Sequence, residues 1–309
     1  MSDLEAKFLG SMVGSALGDA IGEIAFRYPN KNALCRQLDS LKELCYTDDT
    51  AMSIGLAESL VEKADVDQQA LGERFRENFN REPWRGYGPG PPRIFLMVER
   101  SHLSYLEAAK ALFRGEGSFG NGAAMRAAPV GLFFRNSPHL YEKASLSASV
   151  THAHPLGVDG AAVQAMAVSL AVMLNPEQKF SPEEFIKKLA GFARTLEMKE
   201  KLFAVQQALD ADLAPSLASE RLGRSVEVHE SLPFALYSFL RHPNSFEDCL
   251  FCAVLNRGDR DTLGAMACAV SGAYLGVEAI PQEWRQKLEN GSYIEAIARK
   301  LLGLCGDDM

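Results

Sequence analysis

Two short acidic stretches carry the residue types from which a cation site is built. Thr47-Asp48-Asp49-Thr50 precedes a run of small and apolar residues, and about 210 residues further on Asp259-Arg260-Asp261-Thr262 precedes another. Taken singly, each is accounted for by helix capping, because Thr and Asp satisfy free amides at a helix start and first-turn acids complement the helix dipole. Capping needs only one such residue, however, and neighbouring carboxylates repel each other unless a cation lies between them. Carboxylate and hydroxyl oxygens without His or Cys suit a hard ion, Mg2+ or Mn2+, and two clusters brought together suit two ions.

The segment Gly117-Ser118-Phe119-Gly120-Asn121-Gly122 runs into a helical pattern starting near Ala123. Free amides at a positive helix end make an anion site suited to phosphate, although turns use the same residues. Phe113 precedes the segment and Phe119 lies within it; they either sandwich a flat base or fill the core. A second glycine segment, Arg85 to Pro92, contains Gly88 and Gly90 and lets backbone approach a ligand. His152 and His154 lie between two helices without HExxH spacing, which argues against zinc and leaves capping or a bond to a hydroxyl. Cys249-x-x-Cys252 has no second CxxC or nearby His pair and reads as two cysteines on one helix face.

The elements that must position these groups are helical. Leu4, Phe8, Met12, Val13, Leu17 and Ile21 recur at steps of three and four after an Asp3 cap, and Met52, Leu56, Leu60 and Val61 do so after the first acidic cluster. Further helices are predicted at 67–79, 103–112, 123–134, 141–150, 160–174, 182–196, 201–209, 233–240, 246–255, 262–276 and 284–302. Alternating β-branched runs are missing, so the expected fold is all-α, a compact orthogonal multi-helix bundle. With no long Ser/Gly linker, residues 1–309 read as a single domain. The most apolar stretch, 161–174, is too short for a bilayer span and reads as a core helix.

Composition narrows the partners. Lys and Arg number 32 against 40 Asp and Glu, a net charge of −8 that disfavours general binding to nucleic acid or anionic membrane. Six cysteines without a regular framework suit reduced thiols and a cytoplasmic location, and the acidic first residues do not resemble a signal peptide. Nothing resembles a coiled-coil seam, so a monomer is expected.

The ordered set Gly-Asp-Ala-Ile-Gly (18–22), Tyr-Thr-Asp-Asp-Thr-Ala-Met (46–52), Arg-Gly-Tyr-Gly-x-Gly (85–90), Gly-Ser-Phe-Gly-Asn-Gly-Ala-Ala-Met-Arg (117–126), Thr-His-Ala (151–153), Glu-Ser-Leu-Pro (230–233) and Gly-Asp-x-Asp-Thr (258–262) resembles the ADP-ribosylglycohydrolase family. The likeness runs from about Leu9 to Trp284 and looks closest to the branch acting on serine-linked ADP-ribose and O-acetyl-ADP-ribose. It implies a binuclear Mg2+ site, with Mn2+ an alternative, held by Thr47, Asp48, Asp49, Asp259, Asp261 and Thr262. It also implies an ADP-ribose cleft in which residues 117–121 (Gly117, Ser118, Phe119, Gly120 and Asn121) hold pyrophosphate. Phe113 and Phe119 would hold adenine, Gly88 and Gly90 let backbone approach the ligand, and His152 bonds the distal ribose. The expected reaction releases ADP-ribose from a protein side chain or a small conjugate.

Two departures stand out. The family's usual glutamate, seven residues after the Gly-Asp aspartate, corresponds here to Phe26, and the nearest acid is Glu23. Glu23 is expected to substitute by an altered loop path just past the helix end, with Asp48 or Asp49 next in line to orient the water. Arg257 and Arg260 also stand where the family usually has uncharged residues. They either compete with cations for the carboxylates, point away, or reach the substrate's phosphates or protein acceptor, and cation binding is expected to survive in weakened form. These departures motivate an alternative: a catalytically weak ADP-ribose-binding module with an altered metal site.

Overall fold

The computed structural model describes residues 1–305. Among the described residues, regular structure consists of seventeen α-helices and two 3-10 turns, and the only sheet-like pairings are isolated bridges, Leu44 with Leu288 and Gly120 with Glu227. The all-α expectation is met.

The N-terminal helix, Asp3–Arg27, organises the rest. Ser2 caps it by accepting from the Glu5 amide, and it ends just before Pro29, whose ring disfavours helical backbone in the preceding residue. Gly10, Gly14, Gly18 and Gly22 fall four apart and form one stripe. Against that stripe lies the helix Arg260–Leu275, so close that a Cβ on Gly18 would stand 2.1 Å from the Gly264 carbonyl oxygen and one on Gly10 2.3 Å from that of Gly272. At the far end a Cβ on Gly22 would stand 2.5 Å from the Asp261 Cα. Backbone contact therefore sets the second acidic cluster against the end of the N-terminal helix.

The helix Pro155–Met173 fills the centre. By length and hydropathy it could cross a membrane, but 78% of its most apolar window is buried inside the protein, as a core helix should be. His154 caps it, its Nδ1 accepting from the Leu156 amide at 3.1 Å. One hydrophobic cluster takes in buried side chains from Phe8 to Cys305. All six cysteines are free, with Cys249 and Cys252 buried on one helix, Phe246–Leu255.

Several predicted boundaries shift. The single helix expected at 123–134 is a 3-10 turn, Asn121–Ala123, followed by the short helix Ala128–Phe133. Pro129 has no N–H to offer the Met125 carbonyl, so a continuous helix cannot form there. The glycine segment therefore does not open onto an α-helix, and its anion-binding capacity rests on loop amides alone. The expected helix 284–302 is likewise two, Gln282–Lys287 and Gly291–Leu304, separated by Asn290 in left-handed backbone (φ +53°). Three helices lacked a sequence signal strong enough to predict: Lys31–Ser40, Gly90–Ser101 and Pro215–Leu222.

Candidate active site

The helix Asp48–Lys63 begins beside the N-terminal helix, and Asp19 is the reason. Its fully buried carboxylate accepts from the amide and hydroxyl of Thr47 and from those of Thr50, at 2.6–3.1 Å. A buried charge persists only when its lone pairs are satisfied in this way. Thr47 in turn caps the helix, its Oγ1 accepting from the Asp49 amide. From the other side the Asp48 amide donates to the Arg85 carbonyl. Arg85 is itself fixed by Glu82 and Glu289, by the Tyr46 carbonyl and by stacking 4.2 Å over the Tyr46 ring.

The second cluster is held differently. Asp259 precedes the helix Arg260–Leu275 without capping it by its side chain; the Asp259 amide donates to the Arg224 carbonyl, and its Oδ2 accepts from Asn121 Nδ2 at 2.7 Å. Asn121 thus ties the glycine loop to the acidic cluster. Arg260 turns away: its guanidinium is buried and donates to the Val254 carbonyl, while Arg257 is exposed. Neither arginine lines the cavity between the clusters. Burial, with Arg257 and Arg224 nearby, holds the Arg260 pKa below its usual value.

That cavity has a volume of about 510 Å³. Asp48, Asp49, Asp259, Asp261 and Thr262 line it together, although the chain separates the two groups by about 210 residues. Burial first, then the Asp19 charge, pushes the Asp48 carboxyl up to about 7; burial and then Asp259 push Asp261 to about 8. Asp49 is raised well above the carboxylate range by burial and by all four neighbouring aspartates. Asp49 Oδ2 and Asp261 Oδ1 are buried without a hydrogen-bond donor. Crowded carboxylates with free lone pairs and adjacent hydroxyls are the donor set of a hard divalent cation.

Much of the remaining lining comes from the predicted ligand residues. Gly88, Gly90, Phe113, Ser118, Phe119, Gly120, Asn121 and His152 all face the cavity. Phe113 is half exposed and left-handed (φ +51°), as is Arg114 beside it (φ +63°); this break at the end of the helix Tyr105–Gly115 leaves the ring at the cavity wall. Phe119 is steadied by the rings of His154 and His229, at 5.2 and 6.1 Å. Segment 226–228 pairs with the loop: the Asn121 amide donates to Val226 and the Val228 amide to Phe119.

Three predicted residues lie outside the lining. Thr47 is the helix cap. Gly117 is a turn residue (φ +76°) whose Cβ would strike the His154 amide nitrogen at 2.7 Å, so glycine is required there by the chain and not by a ligand. Glu23 is corrected in position: no loop exists there, because the N-terminal helix continues to Arg27, and Glu23 is exposed on it. Sequence reasoning assigned no role to Asp19, Arg126, Thr151, Val226 or Glu227. A lone Asp in a small-residue helix and a lone Arg in Ala123–Phe134 were the available signals, since a buried charge demands a partner.

A family model described as ADP-ribosylglycohydrolase matches residues 1–308. The chain belongs to that family. Among curated relatives, ADP-ribosylhydrolase ARH3 of Bos taurus is 34% identical over 96% of this chain and 92% of its own length. That of Homo sapiens is 32% identical over 96% and 93%. A solved structure titled ADP-ribosylglycohydrolase-related protein complex superposes with a TM-score of 0.76 at 23% identity, covering 99% of this chain and all of its own, which supports the fold. Membership makes the chain a hydrolase. Phe26, 47% exposed, lies on the same helical end as Glu23.

Proposed function

We propose that this ADP-ribosylglycohydrolase cleaves the glycosidic or ester bond at the distal ribose of ADP-ribosylated proteins or O-acetyl-ADP-ribose, releasing ADP-ribose with Mg2+ as cofactor. The observation that carries the reading is the convergence of two acidic helix starts on one cavity, with one unpartnered buried oxygen from each. Asp48, Asp49, Asp259, Asp261, Thr262 and the Thr47 hydroxyl, which keeps a lone pair, would hold two ions, Mg2+ or Mn2+. When bound, the ions supply Lewis acidity and a grip on ribose hydroxyls.

The chain's own groups do the rest. Loop amides of Ser118 and Phe119 meet pyrophosphate oxygens, while the Gly120 amide donates to Ser118 Oγ and shapes the loop, and Phe113 and Phe119 contact the adenine. Gly88 and Gly90 let the backbone approach the ligand, and His152 bonds a ribose hydroxyl. Hydrolysis passes through an oxocarbenium-like state and needs an oriented water. With Glu23 outside the lining, Asp48 or Asp49 orients that water and takes its proton.

The test incubates the protein and Mg2+ with serine-linked, arginine-linked and O-acetyl-ADP-ribose in parallel, with an EDTA arm. ADP-ribose release that EDTA abolishes is the expected result. Tight ADP-ribose binding with no release from any substrate would replace the enzyme reading with the binding-module one.

A further inference from the structure

Arg126 is fully buried in the turn after the glycine loop, stacked 4.8 Å from the Phe75 ring. Its Nη1 donates to the Gly122 carbonyl and its Nη2 to Thr151 Oγ1 at 2.7 Å. Thr151, itself buried, stands 2.8 Å from His152 Nδ1 through the same Oγ1. A guanidinium has only donors, so the Thr151 oxygen accepts from Arg126. If His152 Nδ1 also carried a proton, that oxygen would receive two donors while its own hydroxyl hydrogen pointed at none, a cost buried hydroxyls avoid. The arrangement is satisfied when the Thr151 hydroxyl donates to a bare Nδ1. The ring proton then sits on Nε2, whose edge lies in the cavity wall against Gly120 and Gly122, 3.5 and 3.1 Å from where their Cβ atoms would be.

We propose that Arg126 and Thr151 form a relay that fixes His152 as a neutral Nε2–H donor facing the cavity, so that it selects a ligand atom with a free lone pair and does not act as a base. Thr151 and Arg126, which also border the cavity, are positioning residues here: their role in the relay is exerted through the His152 ring. Burial, with Arg126 nearby, also pulls the His152 pKa down to about 3, in keeping with a ring that stays neutral. The bare glycine faces follow from the same design, since a Cβ on Gly122 would lie 2.8 Å from His152 Cε1 and push the ring off its line. The ligand half of the proposal rests on reading the cavity as an ADP-ribose cleft; the tautomer half does not.

The experiment is a long-range 1H–15N correlation on 15N-labelled, ligand-free protein, with His152→Gln assigning the signal among the six histidines. The expected result is a pure Nε2–H tautomer at His152 from pH 6 to 8. Thr151→Val removes the donor at constant shape and should give mixed tautomers and weaken ADP-ribose binding, by calorimetry, about three- to tenfold, the size of one hydrogen bond. Thr151→Ser should restore the Nε2–H signature. A protonated Nδ1 in the wild-type protein, or an unchanged pure Nε2–H tautomer in Thr151→Val, overturns the relay; the wild-type spectrum decides even if the valine variant does not fold. A wild-type protein with the expected tautomer and no ADP-ribose binding upholds the relay and overturns the cleft reading instead.

Discussion

At the start of Asp48–Lys63 side chains hold the carboxylates in place, whereas at the start of Arg260–Leu275 the backbone does. Asp19 gathers four donors from Thr47 and Thr50, and Arg85 adds a fifth anchor through its carbonyl. The second helix start has no side-chain cap; it is placed by the glycine stripe of the N-terminal helix, by the Arg224 carbonyl and by Asn121. The difference teaches that one motif can be positioned by two kinds of force. A polar network fixes local orientation, and close backbone packing fixes where a whole helix begins.

The strongest way to break the comparison is to ask whether both clusters serve the same chemistry. Asp49→Asn and Asp261→Asn should each lower ADP-ribose release by more than about a hundredfold, since each removes a ligand charge from the proposed cation site. A large loss for one and near-normal turnover for the other would show that only one cluster binds a cation. Next in size is Asp19→Ala, which strands buried donors of Thr47 and Thr50. A loss of about 2–4 kcal/mol of unfolding free energy is expected in urea titration. Gly264→Ala tests the other kind of support and should cost about 1–3 kcal/mol by forcing the two helices apart.

Smaller effects sharpen the electrostatics. Asp48 and Asp261, raised to about 7 and 8, keep protons in the folded protein that the unfolded chain has released above its ordinary carboxylate pKa. The folded state therefore binds more protons between roughly pH 4 and 8, and stability without divalent cation falls as pH rises through that window. Unfolding in EDTA at pH 5 and pH 8 should show the decline, and Mg2+ should flatten it. The smallest effect expected is that of Arg260→Met. Its guanidinium serves the Val254 carbonyl and does not line the cavity, so Mg2+ affinity by calorimetry should change less than about threefold.

Most of the helices, the acidic clusters and both glycine loops were legible in the sequence because each rests on a local rule: periodicity, capping, or the absence of a Cβ. The helix after the glycine loop was misread because apolar periodicity at 123–134 outweighed one proline, and Glu23 was misplaced because nothing local ended the N-terminal helix before Pro29. Asp19 and the Arg126–Thr151 pair depend on bonds to partners 25 to 31 residues away, a distance no periodicity reports.

By itself, then, the sequence determined the fold class, the family and the candidate acidic and glycine-rich segments, all of which are written in residue types and short spacings. Only the tertiary structure decided which of them share a cavity, that Arg260 turns inward to a carbonyl, that Glu23 stays on an exposed helical end, and that His152 has one ring nitrogen already engaged. The physical reason is that burial and hydrogen-bond satisfaction are properties of neighbours in space, and a chain specifies those only once its helices have packed.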